Sequence, residues 1–112
     1  MQIVDKAISK GDLQVLQENF FGDMIKAVVD IRRNLMAIDA ELHADLEKVL
    51  LEDGSNQEDL WGINIYPDVE GEDMVEFDSI INIRPYQDNP SRDVLNPEVR
   101  EAILTLVNKL VI

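Results

Sequence analysis

Apolar residues recur at helical spacing in three stretches of the chain. In the first, Ser9 and Asp12 fit a capping box, and apolar residues follow at steps of three and four. This pattern predicts a helix over 10–21 that Gly22 ends.

Two further helices are predicted by start and stop signals. The stretch HADLEKVLLEDGS carries Leu46, Val49 and Leu50 on one stripe, with Asp45 as a candidate cap and Gly54 as the end. The last helix begins at the Asn-Pro-Glu sequence of 96–98, which combines a cap, a first-turn proline and an acid. It is predicted to run to about residue 110.

Residues 24–42 fit both a helix and a hairpin. Apolar residues keep a helical rhythm there, but a two-residue turn at 33–34 makes every cross-strand pair on one face apolar. The same turn places Lys26 opposite Glu41, an opposite-charge pair that supports a sheet. We therefore predict the hairpin, although its turn lacks the usual glycine.

Two later stretches, DLWGINIYP and MVEFDSIINIRP, alternate as half-buried strands do. Trp61 and its alternate neighbours are predicted to face the core, whereas Asn64 and Asn82 are predicted to face away from it. The predicted fold class is α+β, a single domain over 1–112. It has a four-stranded, mostly antiparallel sheet (ββα twice), an N-terminal helix, and helices on one face of the sheet.

Composition limits the classes of function. The 112 residues are 46% hydrophobic, contain no cysteine and carry a formal net charge of −13. Disorder and cysteine-bound metals are therefore excluded, and direct nucleic-acid binding is disfavoured. The acidic loops lack calcium-loop spacing, so no metal or cofactor is assigned. No signal peptide and no membrane-spanning run is recognised, so we expect a cytoplasmic protein.

The face of the sheet opposite the helices is predicted to mix polar and large apolar side chains. Such a face usually contacts a ligand or a second subunit. The main hypothesis is therefore a self-associating module, a homodimer. Its predicted interface residues are Val28, Leu35, Leu60, Met74 and Ile80.

Two other functions stay open. A binding protein or enzyme for a small anion would use the region of His43, Tyr66, Arg84 and Arg92. An acidic regulator would bind a basic protein partner by mimicking nucleic acid.

Residues 84–93 hold most of the predicted ligand-binding side chains. These are Tyr66, Arg84, Asn89, Ser91 and Arg92. His43, the one histidine, is the sole weak candidate for catalysis as a general base beside carboxylates. A lone histidine at a strand–helix junction is more often a structural residue, so no catalytic residue is assigned.

Several motifs resemble one family. ELHADLE, LLEDGS, DLWGINIYP, FDSIINIRP and a later SR are similar to those of a family of small prokaryotic proteins known only as a domain of unknown function. The resemblance covers most of the chain and implies no activity, cofactor or site residue. It implies a glycine pair where this chain has Asp39 and Ala40, so this hairpin is expected to be less flexible than the family pattern.

Overall fold

The computed structural model describes residues 1–112 as an α+β fold with three helices and one five-stranded antiparallel sheet. The elements are β1 (Gln2–Val4), α1 (Lys10–Asn19), β2 (Ile25–Asp30), β3 (Leu35–Ile38), α2 (His43–Glu52), β4 (Leu60–Ile65), β5 (Val75–Glu76) and α3 (Pro97–Leu110). The strand order in the sheet is β1-β3-β2-β4-β5. None of the helices is both long and apolar enough to span a membrane.

The capping signals place α1 and α3 correctly. The Ser9 side chain accepts a hydrogen bond from the Asp12 amide, and the Asn96 side chain accepts one from the Glu98 amide. α2 differs, because it begins at His43, without a side-chain cap, and Asp45 lies inside its first turn. The prediction that Asp45 caps this helix was wrong.

The hairpin predicted over 24–42 is confirmed, with a longer turn. Asp30 pairs with Leu35, and the Oδ1 atom of Asp30 accepts hydrogen bonds from the amides of Arg32 and Arg33, each at 2.9 Å. Asn34 closes the turn with φ +56°. This Asx turn uses four residues instead of two and moves the pairing by two residues, so the same side chains still face the core.

The longer turn removes the predicted ion pair. Lys26 lies opposite Asn64 of β4 and not opposite Glu41, which lies beyond the end of β3. The predicted pairing of Lys26 with Glu41 was therefore wrong.

Asp39 and Ala40 lie in the link from β3 to α2, where the resemblance implies a glycine pair. Asp39 has φ +75°, in the left-handed region that glycine adopts most easily. The backbone therefore has the shape that a glycine there would suit, with an aspartate in its place.

The helices cover both faces of the sheet, contrary to the prediction that they share one face. α1 and α3 pack on the main core, whose members include Leu13, Trp61, Ile63 and Ile103. α2 lies on the other face and covers the smaller cluster of Val28, Leu35, Ala37, Leu46, Leu50 and Leu60. A helical stripe alone does not tell which face of the sheet it covers.

The sheet also differs from the prediction at both ends. β1 adds a fifth strand that pairs with β3, with Ile3 opposite Ala37. The strand predicted over 74–84 forms only the short β5, and residues 80–82 form a 3-10 turn instead. The alternating pattern of that stretch therefore does not reflect a long strand.

The segment after β5 packs directly on the backbone of β4. A Cβ atom placed on Gly62 would lie 2.6 Å from the Cβ of Ser79 and 3.1 Å from Cγ1 of Ile81. The first distance is shorter than any packed side chain tolerates, so this contact requires glycine.

Replacing Gly62 with alanine is expected to lower the free energy of unfolding by about 1–3 kcal/mol, because the added methyl group overpacks the contact. The double variant Gly62→Ala/Ser79→Gly is expected to recover part of the loss. Urea unfolding measures both. Gly11→Ala is the control, since a Cβ on Gly11 meets only Oγ of Ser9 at 3.7 Å in a helix that favours alanine. Equal stability of Gly62→Ala and wild type would contradict the assigned contact.

Candidate functional site

Arg84 is a structural cation. It is 2% exposed, its Nη2 donates to the Leu60 carbonyl at 2.6 Å, and its Nη1 donates to the Gln57 carbonyl. The guanidinium carbon lies 4.1 Å from the centroid of the Trp61 ring. Both Nη atoms are therefore bound within the protein, whereas Nε is buried without a partner.

Asn82 supplies hydrogen bonds that a strand would otherwise supply. Its Oδ1 accepts from the Gly62 amide at 2.8 Å, and its Nδ2 donates to the Gly62 carbonyl at 2.9 Å and to the Arg92 carbonyl at 3.0 Å. Asn82 is fully buried and Asn64 is 5% exposed. Asn64 lies on the face of β4 away from Trp61, as predicted, but the prediction that both asparagines lie outside was wrong. Residues 76–78 cover Asn64, and Asn82 is buried within the segment that follows β5.

Asn89 has a similar structural role. Its Nδ2 donates to the Asn82 carbonyl at 2.7 Å and to the Asp93 carbonyl at 2.8 Å, and its Oδ1 accepts from the Leu95 amide at 2.9 Å. Asn89 is 2% exposed. Both polar atoms of its side chain are therefore used to hold the loop of residues 82–95 together.

Tyr66 and Ser91 lie apart from these residues. Tyr66 lies just beyond the carboxyl end of β4, and its hydroxyl donates to Oε1 of Glu76 at 3.2 Å. Burial, and next the negative charge of Glu76, raise the pKa of Tyr66. Ser91 Oγ accepts from the Asp93 amide in a local turn. The five predicted ligand residues therefore do not line one pocket.

The predicted interface residues are mostly internal. Val28, Leu35 and Leu60 are buried under α2, and Met74 is buried in the main core. Only Ile80 is exposed, at 68%. The exposed apolar face on which the homodimer depended is therefore absent, because α2 covers it, and the homodimer itself stays a prediction.

A pocket of about 220 Å³ brings His43 and Arg92 together. It lies between the start of α2, β2 and the turn of residues 79–81. Its polar lining residues are Lys26, His43, Ser79 and Arg92, and its apolar lining includes Leu42 and Ile80, which are 55% and 68% exposed. We call it the cationic pocket.

His43 is held in one orientation. Its Nε2 lies 2.8 Å from the Ile63 carbonyl oxygen. Because a carbonyl only accepts, Nε2 carries the proton, and a neutral ring leaves the lone pair on Nδ1. Nδ1 has no hydrogen-bond partner in the protein and is not among the fully buried unpaired atoms, so it stays accessible.

The environment of His43 favours its neutral form. Burial is the largest cause and lowers the pKa of His43 below its ordinary value of 6.5, while the bond to Ile63 raises the pKa and nearby Lys26 lowers it. Unfolding frees the ring to take up a proton. This residue therefore reduces the free energy of unfolding as the pH falls from about 6.5 through the lowered pKa.

Arg92 is anchored at one end and free at the other. Its Nε donates to Oδ1 of Asp78 at 2.6 Å, and its two Nη atoms have no hydrogen-bond partner in the protein. Lys26 forms no salt bridge, and its Nζ lies 5.3 Å from the centroid of the Phe21 ring. The pocket therefore presents two cations with unsatisfied donors next to one accessible imidazole nitrogen.

Sequence reasoning named His43 and Arg92 but missed Lys26 and Ser79. Lys26 is the only basic residue between positions 11 and 31, in a strand that is otherwise apolar up to Asp30, and that isolation was an available signal. No comparable signal marked Ser79, which enters the pocket only because the chain leaves the sheet after β5. No group of three or more His, Cys, Asp and Glu side chains is placed to bind a metal ion.

Replacing Asn82 with alanine is expected to lower the free energy of unfolding by about 2–4 kcal/mol, because the buried amide and carbonyl of Gly62 both lose their partner. Chemical unfolding measures the loss. Asn64→Ala is the control and is expected to cost less, since the Asn64 amide donates to a partly exposed carboxylate, that of Glu76. Equal losses in the two variants would contradict the strand-like role of Asn82.

Comparison with known proteins gives one family. Among curated proteins and solved structures, nothing matches the chain. The family described as Protein of unknown function (DUF5674) matches residues 2–110, nearly the whole chain. This match confirms the predicted resemblance to a family of unknown function. The chain belongs to the DUF5674 family of proteins of unknown function.

Proposed function

We propose that this protein binds a small anionic molecule, a carboxylate or a phosphate, in the cationic pocket. One observation carries the proposal. Lys26, His43 and Arg92 line one small pocket, although the chain has a formal net charge of −13 and only ten lysines and arginines. The pocket is thus a local positive site on an acidic protein.

The geometry of Arg92 suits an anion with two oxygen atoms. Its bond to Asp78 fixes the guanidinium through Nε and leaves both Nη atoms for a bidentate contact. Lys26 adds a second positive charge without an acidic partner of its own. Because Asp78 neutralises part of the Arg92 charge, Lys26 is expected to contribute strongly to the affinity.

His43 suits a ligand that carries a proton as well as a charge. When neutral, its Nδ1 accepts a hydrogen bond from a hydroxyl group of the ligand. When protonated, it donates to an anionic oxygen instead. The hydrogen bond from Nε2 to the Ile63 carbonyl holds the ring in place for both roles.

The size and the lining of the pocket limit the ligand further. Its volume of about 220 Å³ is below the ~300–1,000 Å³ of pockets for drug-sized molecules. Leu42, Ile80 and Ile81 offer apolar contacts next to the charged groups. We therefore propose a ligand with a short aliphatic part, such as a short-chain carboxylate or a small phosphate ester.

The proposal assigns binding and no reaction. Ser79 is 1% exposed, and its Oγ accepts a hydrogen bond from the Ile81 amide at 3.3 Å. Its place in the contact with Gly62 further restricts its movement. These contacts give Ser79 a structural role, so the pocket offers no activated nucleophile beside His43.

Self-association and mimicry of nucleic acid stay open as weaker proposals. A homodimer now has Ile80 alone, of its five predicted residues, as exposed apolar surface. An acidic regulator has the net charge of −13 as its only support. Neither is favoured by a feature as specific as the cationic pocket.

Variants of the pocket test the anion site. Isothermal titration with sulfate and with butanoate is expected to show saturable binding that weakens about tenfold or more in Lys26→Met and in Arg92→Gln, since each loses a charge-assisted contact. Arg32→Gln is the matched control, because Arg32 is also an exposed arginine bound through Nε to a carboxylate, that of Asp59. Binding that is absent in wild type, or that Arg32→Gln weakens equally, would contradict the proposal.

The affinity for sulfate is expected to rise as the pH falls towards the pKa of His43, which burial lowers from its ordinary value, because protonation adds a positive charge and the bound anion raises that pKa. Sulfate is the suitable probe, since its own charge is constant between about pH 5 and pH 8. In His43→Gln this pH dependence is expected to be lost while binding at high pH is kept. A pH profile that is the same in wild type and His43→Gln would exclude His43 from the site.

A further inference from the structure

The cationic pocket lies at the start of a helix that has no side-chain cap. Leu42 occupies the N-cap position of α2, and the amides of His43, Ala44 and Asp45 have no hydrogen-bond acceptor in the protein. Leu42, His43 and Ala44 all line the pocket. Backbone donors that a cap would partly satisfy are therefore free at the border of the pocket.

The side chain of His43 points to a ligand at the same place. His43 is 8% exposed, and its Nδ1 stays accessible without a partner while Nε2 is bound to the Ile63 carbonyl. Polar side chains buried to this degree are mostly hydrogen-bonded, so an unpaired atom at the wall of a pocket indicates a ligand. The free amides and the free ring nitrogen therefore lie around one binding position.

The donors of the pocket come from three elements. The start of α2 supplies backbone amides, β2 supplies Lys26, and the segment after β5 supplies both Nη atoms of Arg92, which have no partner in the protein. A carboxylate is planar and offers two oxygen atoms, whereas the phosphate of a monoester is tetrahedral and offers three terminal oxygen atoms. Three donor groups on three elements therefore suit a phosphate better than a carboxylate.

The charge of the pocket also exceeds that of one carboxylate. Lys26 and Arg92 add two positive charges, Asp78 removes one, and the start of a helix adds about half a charge, so the sum is roughly +1.5. Asp45 lies in the first turn of α2, but it is exposed and does not line the pocket. A dianion neutralises this sum more completely than a monoanion does.

We propose that the ligand of the cationic pocket is a small phosphate monoester with a short alkyl group, whose phosphate lies against the start of α2. This inference rests on the proposed function and narrows it to one class of anion. One terminal oxygen accepts from the free amides of α2, and the others accept from Nη of Arg92 and Nζ of Lys26. The ester oxygen places the alkyl group against Leu42 and Ile80, the exposed apolar part of the lining.

His43 completes the contact by sharing one proton with the phosphate. The second pKa of a phosphate monoester is about 6, so near neutral pH the ligand exists with and without one proton. When the ring is neutral, Nδ1 accepts a hydrogen bond from the hydroxyl group of the monoanion. When the ring is protonated, Nδ1 donates to the dianion. The hydrogen bond from Nε2 to the Ile63 carbonyl is kept in both states.

Isothermal titration at about pH 7.5, above the second phosphate pKa of about 6, compares three probes with short alkyl chains. Propyl phosphate is the dianionic monoester, diethyl phosphate is a singly charged diester, and butanoate is the carboxylate. We expect propyl phosphate to bind about tenfold or more tighter than the other two. Equal affinities for propyl phosphate and butanoate, both weakened by Arg92→Gln, would keep the anion site and overturn the phosphate assignment. No binding of any probe would overturn the proposed function as well.

Variants of Leu42 test the contact with the helix. Leu42→Ser places a hydroxyl group where it accepts from the amide of Ala44 or Asp45, and Leu42→Ala is the matched control without that group. Leu42 is 55% exposed, so both variants are expected to fold. We expect Leu42→Ser to have the higher melting temperature and to bind propyl phosphate about fivefold more weakly than Leu42→Ala, because the cap competes with the phosphate. Equal affinities in the two variants would overturn the contact with α2.

A phosphate monoester could also belong to a phosphorylated protein. Titration with an acetylated, amidated peptide of phosphoserine between glycines distinguishes this source. We expect the peptide to bind no tighter than propyl phosphate, since a pocket of about 220 Å³ holds the phosphate and a short alkyl group alone. A peptide affinity about tenfold or more above that of propyl phosphate would assign the phosphate to a partner protein and overturn the small ligand.

Discussion

The pairing of the Asn82 side chain with the backbone of Gly62 is the constraint on which the second half of the molecule depends. β5 pairs with β4 only at Asn64 and Ile65, so the rest of the outer side of β4 needs other partners. Asn82 bonds both polar groups of Gly62, and Arg84 bonds the Leu60 carbonyl. Buried side chains thus replace a strand, which satisfies the backbone while the chain turns away from the sheet.

This irregular segment also builds the cationic pocket, which takes Ser79, Ile80 and Arg92 from it. Because the segment is held by hydrogen bonds from Asn82 and Asn89, weakening that network is expected to disturb the pocket as well as the fold.

The sequence predicted the parts of the fold that local rules determine. Caps located α1 and α3, apolar pairing located the β2–β3 hairpin, and alternation located β4. The face covered by α2 and the end of β5 depend on tertiary contacts, which periodicity does not encode. For the same reason His43 and Arg92 were named individually, but Lys26 and Ser79, distant in sequence, join them only in the folded chain.

The outer strands of the sheet are unusually short, three residues in β1 and two in β5. Long unpaired strands at the border of a sheet invite other chains to add to it, and very short ones do not. Beyond β5, the backbone groups of β4 at Gly62 and Leu60 are already bonded to side chains. Sheet extension, the route to both strand-exchanged dimers and fibrils, is therefore disfavoured at the β1 border by its short strand and blocked along β4 at Gly62 and Leu60. We therefore expect any homodimer of this protein to form through side-chain contacts, and the short outer strands to oppose aggregation in addition to the charge.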